Sequence, residues 1–321
     1  MEIFKQDPNI DFLGRRRAGF LLSGTLVLLA IGSLLWQGLN LGIDFTGGTL
    51  VEVRYEEPVD LPEIEAALQD TPYAQAQVLY FGSPEEVMVR VPPLQEVEEA
   101  EISEAVMGHL REAHEGVELR RVEFVGPQIG QELTQQGLLA LLYALGGVLV
   151  YVAFRFEYRF ALGAVVALIH DILLILGFFS VTRLAFDLTV LAALLATIGY
   201  SLNDTIVVSD RIRENFLKVR KGSTEFIMNL SINQTLSRTL MTSFTTLLVV
   251  LSLLFLGGEA LYGFAMALLV GVVVGTYSSI FVASASSLAM GVSKQDLLPP
   301  EKEGAEQDDL EATMPPPSDR P

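Results

Sequence analysis

Six long apolar stretches constrain the fold of this chain more than any other feature. Half of its 321 residues are hydrophobic, and the mean hydropathy is +0.43. A helix needs roughly 20 mostly apolar residues to cross the hydrocarbon core of a bilayer. The segments that qualify or nearly qualify are 18–37, 137–154, 160–181, 188–208, 239–256 and 261–290. The sequence therefore predicts a polytopic α-helical membrane protein with six transmembrane helices.

Basic residues predict how these helices are oriented. They cluster before the first span, between the second and third, and between the fourth and fifth: Arg15, Arg16, Arg17, Arg155, Arg159, Arg211, Arg213, Lys218, Arg220 and Lys221. Because cytoplasmic loops are enriched in Lys and Arg, these regions are expected in the cytoplasm. The N-terminus (1–17), a loop at 209–238 and the C-terminal segment then share that side. The first span has no convincing small-residue cleavage site, so we interpret it as an uncleaved helix.

The acidity of the chain is confined to two regions. Residues 44–125 carry nineteen acidic and five basic residues, a net charge of −14, and residues 294–321 carry eight and three, a net charge of −5. Acidic surfaces do not favour nucleic acid as a partner. The segment 291–321 is predicted to be a disordered acidic cytoplasmic tail. With no cysteine and three histidines, neither a disulfide nor a Cys- or His-rich metal site is expected.

Residues 38–136 are predicted to form a small domain with its linkers on the opposite, periplasmic side. Alternating and helical patterns follow the order β-α-β-β-α-β, which is that of the ferredoxin-like α+β fold. This fold supports many functions, and the segment has no nucleophile–base pair and no metal-ligand spacing. A structural or binding role is therefore favoured over catalysis.

Glycines mark both connections between this domain and the predicted spans. The motif GIDFTGG at 42–48 follows the first span and contains Gly42, Gly47 and Gly48. It is interpreted either as a simple turn or as a hinge or close backbone contact. Gly126 begins GPQIGQEL and predicts an elbow into the second span.

Small residues also recur inside the spans. They are Gly271, Gly275, Ser278, Ser279, Ala283 and Ser284 in the sixth, and Ala192, Ala193, Ala196 and Gly199 in the fourth. Such spacing favours close helix packing, with a sliding interface as the alternative.

Two acidic residues fall inside the spans and are the strongest functional candidates. A charge at the bilayer centre costs roughly 3 kcal/mol on insertion scales, and such residues usually serve ion pathways. Asp171 is expected near mid-bilayer. Its neighbour His170 need not share a site with it, since adjacent residues on a helix do not face each other. These two residues are secondary candidates for a proton relay.

Asp204 is the primary candidate, because Arg238 opens the fifth span at a similar predicted depth. A guanidinium facing Asp204 would hold the carboxylate charged, and a proton would break the pair. The alternatives are a structural ion pair and an Arg238 that extends to the lipid headgroups. Asn203 is expected to hydrogen-bond across helices and support Asp204.

Three motifs resemble the SecF family of Sec protein-translocase subunits, within the resistance–nodulation–division superfamily. They are GIDFTGG at 42–48, GYSLNDTIVVSDRIREN at 199–215 and QTLSRTLMTS at 234–243. The resemblance covers residues 10–292. It implies pairing with SecD and use of the proton-motive force to promote preprotein translocation, with protons as coupling ion and no other cofactor. It places the family's fourth-helix Asp on Asp204 and its fifth-helix Arg on Arg238.

The resemblance also implies a bacterial inner-membrane location, with both termini cytoplasmic. The partners it implies are SecYEG, YajC and SecA, besides membrane lipid and the translocating preprotein. Two other functions stay open, namely a structural scaffold for SecD and the channel, and a related small-molecule efflux pump. An intramembrane aspartyl protease using Asp171 and Asp204 is disfavoured, because neither residue lies in a GxGD motif.

Overall fold

The computed structural model describes residues 8–94, 99–219 and 221–293. The α-helices are α1 Arg16–Gln37, α2 Ile43–Thr46, α3 Leu61–Gln69, α4 Glu99–Ala113, α5 Pro127–Arg155, α6 Tyr158–Thr182, α7 Leu188–Lys218, α8 Thr224–Leu256, α9 Tyr262–Ser278 and α10 Ala285–Ala289. A π-helical segment, Ser279–Ser284, joins α9 to α10, and 3-10 turns precede α1 at Leu13–Arg15 and α9 at Glu259–Leu261. The strands are β1 Asn40–Leu41, β2 Gly48–Arg54, β3 Gln77–Phe81, β4 Ser83–Val91, β5 Glu118–Val125 and β6 Ala185–Phe186.

Six helical segments are long and apolar enough to cross a membrane, which confirms the predicted fold class. They comprise α1, α5, α6, α7, α8 and the run from the 3-10 turn through α10. The segments containing α6, α7 and α9 are half buried within the chain, whereas α1, α5 and α8 expose most of their apolar residues. In a lipid bilayer such exposed apolar faces need no protein cover. The more buried helices α6, α7 and α9 form the centre of the bundle.

The helices extend beyond the predicted spans. The predicted loop 209–238 is almost entirely helical, because α7 continues to Lys218 and α8 begins at Thr224. Hydropathy marks where a helix leaves the apolar layer, not where it ends. The extensions persist because Ile212, Phe216 and Met228 are buried in one cluster that also includes Leu13.

The inserted domain has the ferredoxin-like topology that the sequence predicts. Its four strands are antiparallel in the order β3-β4-β2-β5, and α3 and α4 pack against the sheet. Alternation along β2 buries Val51 and Val53, which meet Ile64 of α3 and Val106 of α4 in the core. Val97, which the helical pattern of the sequence places on the same side as Ile102 and Val106, lies outside the described residues.

A short parallel pair of strands joins the domain to the bundle. β1, which follows α1, pairs with β6, which lies between α6 and α7. The chain therefore enters the domain beside the N-terminus of α7. Of the predicted disordered tail 291–321, residues 294–321 lie outside the described part of the chain.

Candidate functional site within the helix bundle

Asp204 lies on α7 at the centre of the bundle and is 7% exposed. Its Oδ1 accepts a hydrogen bond from Thr239 Oγ1 of α8 at 2.7 Å. Its Oδ2 accepts one from Ser279 Oγ, at the start of the π-helical segment, at 2.6 Å. The carboxylate therefore links three spans through two neutral hydroxyl groups.

The predicted direct contact between Asp204 and Arg238 is wrong. Arg238 is exposed, and no ion pair within 4.0 Å joins these two described side chains, although the guanidinium attracts the carboxylate through space. Successive residues on a helix point about 100° apart, because 3.6 residues make one turn. Thr239 takes the inward position, so its neighbour Arg238 points out of the bundle.

Asn203 does not support Asp204 within this chain. Its side chain is exposed and makes no hydrogen bond to the described residues. It continues an outward stripe on α7 formed by Ala192, Ala196 and Gly199, at helical spacing. The cross-helix hydrogen bond expected for Asn203 therefore has no acceptor inside the described bundle.

Asp171 and His170 share a site, which their adjacency on one helix left open. Asp171 is 1% exposed and His170 is 5% exposed, and His170 Nδ1 lies 2.8 Å from Asp171 Oδ1. Although their Cβ atoms diverge, both side chains are long enough to turn toward each other. Asp171 Oδ2 accepts from Ser201 Oγ of α7 at 2.5 Å and from Ser278 Oγ of α9 at 2.7 Å.

The sequence does not mark the hydroxyl partners of either carboxylate as site residues. As small residues, Ser278 and Ser279 indicate a closely packed or sliding helix interface, and Thr239 indicates the start of a span. The usable signal was the presence of hydroxyls beside buried acids in otherwise apolar segments, because a buried carboxylate requires hydrogen-bond donors. One sequence cannot say which hydroxyls face inward.

Close packing of α7 against α9 brings Ser279 to Asp204. A Cβ atom on Gly271 would lie 2.3 Å from Thr197 Cγ2, and one on Gly275 would lie 3.0 Å from Ser201 Cβ. Glycine is therefore required at the first position and favoured at the second. Among the alternatives that the sequence left open, this geometry supports close packing.

The π-helical segment shapes the site from the other side. One extra residue per turn breaks the regular hydrogen-bond ladder, and Ser284 Oγ donates to the Ser279 carbonyl at 2.9 Å. Ser279 Oγ also lies 3.0 Å from the Thr276 carbonyl, which gives this hydroxyl a second acceptor besides Asp204. Such segments are frequent at functional sites.

The glycine motif forms a tight joint between the domain and the bundle. Gly47 and Gly48 have φ values of 72° and 118°, and a Cβ on Gly48 would lie 2.3 Å from the Val91 carbonyl oxygen. A Cβ on Gly42 would lie 3.0 Å from Asp187 Cβ. Gly126 precedes α5 as predicted for an elbow, but its φ is −61° and a Cβ there would meet only ordinary contacts.

Charged residues reinforce this joint. Asp44 Oδ2 accepts from the Leu188 backbone N–H at 3.0 Å, at the first residue of α7. Arg90 of β4 is buried and donates to Asn40 Oδ1 at 3.2 Å and to the Leu41 carbonyl at 2.9 Å. Burial lowers the pKa of Arg90, and the nearby charges of Asp187 and Asp44 oppose that change. In the described part of the chain, no cluster of three potential metal ligands occurs.

A six-span bundle with buried carboxylates at its centre, and a ferredoxin-like domain inserted after the first span, defines a polytopic α-helical membrane protein. Residues 105–293 match the family described as protein export membrane protein SecD/SecF, C-terminal, and residues 32–59 match the SecD/SecF GG motif. The chain belongs to this family. Its relatives are translocase subunits, a transport class and not an enzyme family.

Individual relatives cover almost the whole chain. The protein translocase subunit SecF of Vibrio alginolyticus is 51% identical over 96% of this chain and 99% of its own length. The SecF subunit of Escherichia coli O157:H7 is 45% identical over 92% of this chain and 93% of its own length.

Two solved structures show the same architecture. The crystal structure of SecDF from Thermus thermophilus, described as a translocon-associated membrane protein, is 40% identical with a TM-score of 0.81 over 90% of this chain. SecDF in a super-membrane-facing form is 38% identical with a TM-score of 0.67 over 97% of this chain. The chain spans 39% and 41% of the length of these two SecDF chains.

Proposed function

We propose that this chain is a proton-coupled accessory subunit of the Sec translocase. With SecD, it uses the proton-motive force to promote late steps of preprotein translocation across the bacterial inner membrane. The observation that carries the proposal is the environment of Asp204. Its buried carboxylate bridges three spans through neutral hydroxyls and has no cation in contact among the described residues.

Protonation changes what this carboxylate can bind. As an anion, Asp204 accepts from both Thr239 and Ser279, and its charge is unfavourable in a membrane interior. A protonated carboxyl group has one O–H donor and is a weaker acceptor at that oxygen, so the hydrogen bond accepted there weakens or reverses. Ser279 can turn to the Thr276 carbonyl, which frees α7 to shift against the π-helical segment.

We assign the interface with SecD to the outward sides of α7 and α8, where Asn203 and Arg238 are exposed. Ala192, Ala196 and Gly199 continue the exposed side of α7, and small residues let a second membrane helix approach closely. SecD would supply the hydrogen-bond partner for Asn203 and an acidic partner for Arg238. The proton relay would then comprise Asp204 inside this chain and Arg238 at the interface.

The proposed orientation follows the basic clusters of the sequence. Both termini and the turn between α7 and α8 lie in the cytoplasm, and the ferredoxin-like domain lies in the periplasm. There the domain would meet the emerging preprotein at the SecYEG channel. YajC and SecA are further proposed members of the assembly.

The proposal is tested with Asp204→Asn in the full chain, reconstituted with SecD and SecYEG in vesicles. The measurement is preprotein translocation with and without an imposed proton gradient. Asparagine keeps the size and an acceptor oxygen but cannot exchange a proton, so the gradient-dependent part of translocation should disappear. Asp210→Asn is the matched control, because Asp210 lies on the same helix in a half-exposed ion pair with Arg155.

Each outcome separates the candidate functions. Normal assembly together with an undiminished gradient response in Asp204→Asn would overturn the proton-coupled mechanism. A low yield of the SecD complex, with the gradient response preserved per complex, would instead indicate a scaffold.

A further inference from the structure

We propose that His170 and Asp171 form a second proton-binding station, coupled to Asp204 through the neighbouring hydroxyls of Ser278 and Ser279. This inference rests on the proposed function, since it adds a second site to the same proton-driven element. It concerns a buried acid–imidazole pair that has no part in the proposed action of Asp204.

The first observation is an unsatisfied atom. His170 Nε2 is buried and has no hydrogen-bond partner among the described residues, while Nδ1 is held by Asp171. An ionised Asp171 can only accept hydrogen bonds, as it does from two serines at Oδ2, so in that state Nδ1 carries the hydrogen and donates it. The neutral ring then presents its lone pair at Nε2, where a proton can bind and form an imidazolium beside the carboxylate.

The second observation is the shared helix junction. Ser278 binds Asp171 and the next residue, Ser279, binds Asp204, so the two carboxylates hold the same junction of α9 with the π-helical segment. On α7, Ser201 binds Asp171 and lies three residues before Asp204, on the same helix face. A change in the hydrogen bonds of either carboxylate therefore acts on the same two segments.

The third observation is the order of the stations along the membrane normal. α7 begins at the joint with the ferredoxin-like domain, where Asp44 binds the Leu188 N–H. Ser201, and with it Asp171, lies about 4.5 Å nearer to that end than Asp204, at 1.5 Å per residue. A proton arriving from the domain side meets His170 and Asp171 first.

Few other charges face the pair. Tyr277 of α9 is the titratable neighbour of His170, with ring centroids 6.3 Å apart, but its hydroxyl donates to the Gly19 carbonyl of α1. The packed helix α1 carries no acidic or basic residue between 18 and 37. Within the described chain, no Lys or Arg lies within ion-pair distance of Asp171. Asp204 is thus the acid to which the station couples.

The experiment measures protonation of Asp204 and of the His170–Asp171 pair in the reconstituted complex with SecD. Infrared difference spectra across a pH titration follow the carbonyl band of protonated Asp204 and the imidazole ring bands of His170, with Asp204→Asn and His170→Asn used to assign the bands. Removing the negative charge of one acid favours the charged form of the other acid. Asp171→Asn should shift the Asp204 titration midpoint downward by about 0.7 to 2 pH units, a roughly 5- to 100-fold change in proton affinity.

The converse substitution supplies an internal check. Asp204→Asn should also shift the midpoint of the His170–Asp171 station downward, because it removes a negative charge that favours the imidazolium. Ser278→Ala should raise the midpoint of the station, since it removes a donor to the charged carboxylate. Ser252→Ala is the matched control, because the exposed Ser252 binds only the Leu248 carbonyl of its own helix.

The inference would be overturned if Asp171→Asn left the titration midpoint of Asp204 unchanged and Asp204→Asn left that of the His170–Asp171 station unchanged. It would also be overturned if the station bound no proton between pH 5 and 9. Should Asp171→Asn fail to assemble, His170→Asn and Ser278→Ala carry the same test. If Asp204→Asn abolishes the gradient response while the midpoints stay independent, the proposed function stands and only the second station is rejected. If Asp204→Asn leaves the gradient response intact, the proposed function fails whatever the titrations show.

Discussion

Replacing Gly271 by alanine tests whether the α7–α9 contact holds the candidate site together. The new Cβ would lie 2.3 Å from Thr197 Cγ2, whereas carbon atoms in contact are about 3.5–4.0 Å apart. Thr197 cannot turn away easily, because it is 1% exposed, is β-branched, and donates to the Ala193 carbonyl at 2.9 Å. The two helices must therefore separate by about 1 Å or more.

The expected effect on stability is the balance of two opposing terms. Overpacking a tight interior costs about 1–3 kcal/mol, and replacing a helical glycine by alanine recovers up to about 1 kcal/mol. Gly271→Ala should therefore lower the free energy of unfolding by roughly 1 kcal/mol. Gly147→Ala on α5 is the matched control, because it is exposed and a Cβ there meets nothing within 4 Å. That variant should be neutral or slightly more stable.

The assay is unfolding of the full chain in mixed micelles with increasing SDS, followed by circular dichroism. Gly271→Ala should unfold at a lower SDS fraction than the control. Separation of α9 from α7 should also weaken the Ser279 bond to Asp204, so the gradient response should fall with it. Equal stability of Gly271→Ala and Gly147→Ala would refute the reasoning about the contact.

Three further predictions concern the domain and its joint. Gly48→Ala should make the domain sensitive to limited proteolysis, because the φ of 118° and the Val91 carbonyl oxygen 2.3 Å from the new Cβ exclude a side chain. Gly126→Ala is the control and should resist proteolysis as well as the parent protein does. Burial raises the pKa of Tyr55 to about 12 against about 10 when unfolded. The stabilisation that comes from this raised pKa is present below pH ~10 and is lost as the pH rises through ~12. Tyr55→Phe should abolish this loss of stability at alkaline pH, which is measured by thermal melts across that pH range. Asp44→Ala should speed hydrogen exchange at the first amide of α7, because that amide donates to the Asp44 carboxylate. The Asp60 side chain accepts no hydrogen bond at the start of α3, so Asp60→Ala should leave hydrogen exchange in α3 unchanged.

The sequence predicts the spans and the domain topology well because both depend on local patterns. Apolar length decides whether a segment crosses a bilayer, and the alternation of Val51 and Val53 with polar neighbours decides which face of β2 is buried. The order of elements then leaves few topologies for a fold of this size. None of these inferences requires knowing how two helices are rotated against each other.

The candidate site depends on that rotation, which explains the errors there. Arg238 and Thr239 are adjacent in sequence but about 100° apart around α8, and depth alone could not choose between them. The partner of Asp204 was expected to be a charge, because Coulomb attraction is the stronger single interaction in a membrane. The bundle instead uses two hydroxyls, which cost far less to bury than an unpaired guanidinium.

The geometry of the joint bears on how a proton could move the ferredoxin-like domain. Asp204 lies sixteen residues, or about 24 Å of continuous helix, from Leu188, where Asp44 holds the first turn of α7. A hinge at Gly47 and Gly48 stays a prediction, but their closely packed backbone leaves little freedom for swinging. Tight contacts transmit displacement, whereas a loose tether absorbs it. A shift of α7 against the π-helical segment should therefore carry the joint and the domain with it, so cross-linking α7 to α9 should arrest the domain as effectively as neutralising Asp204.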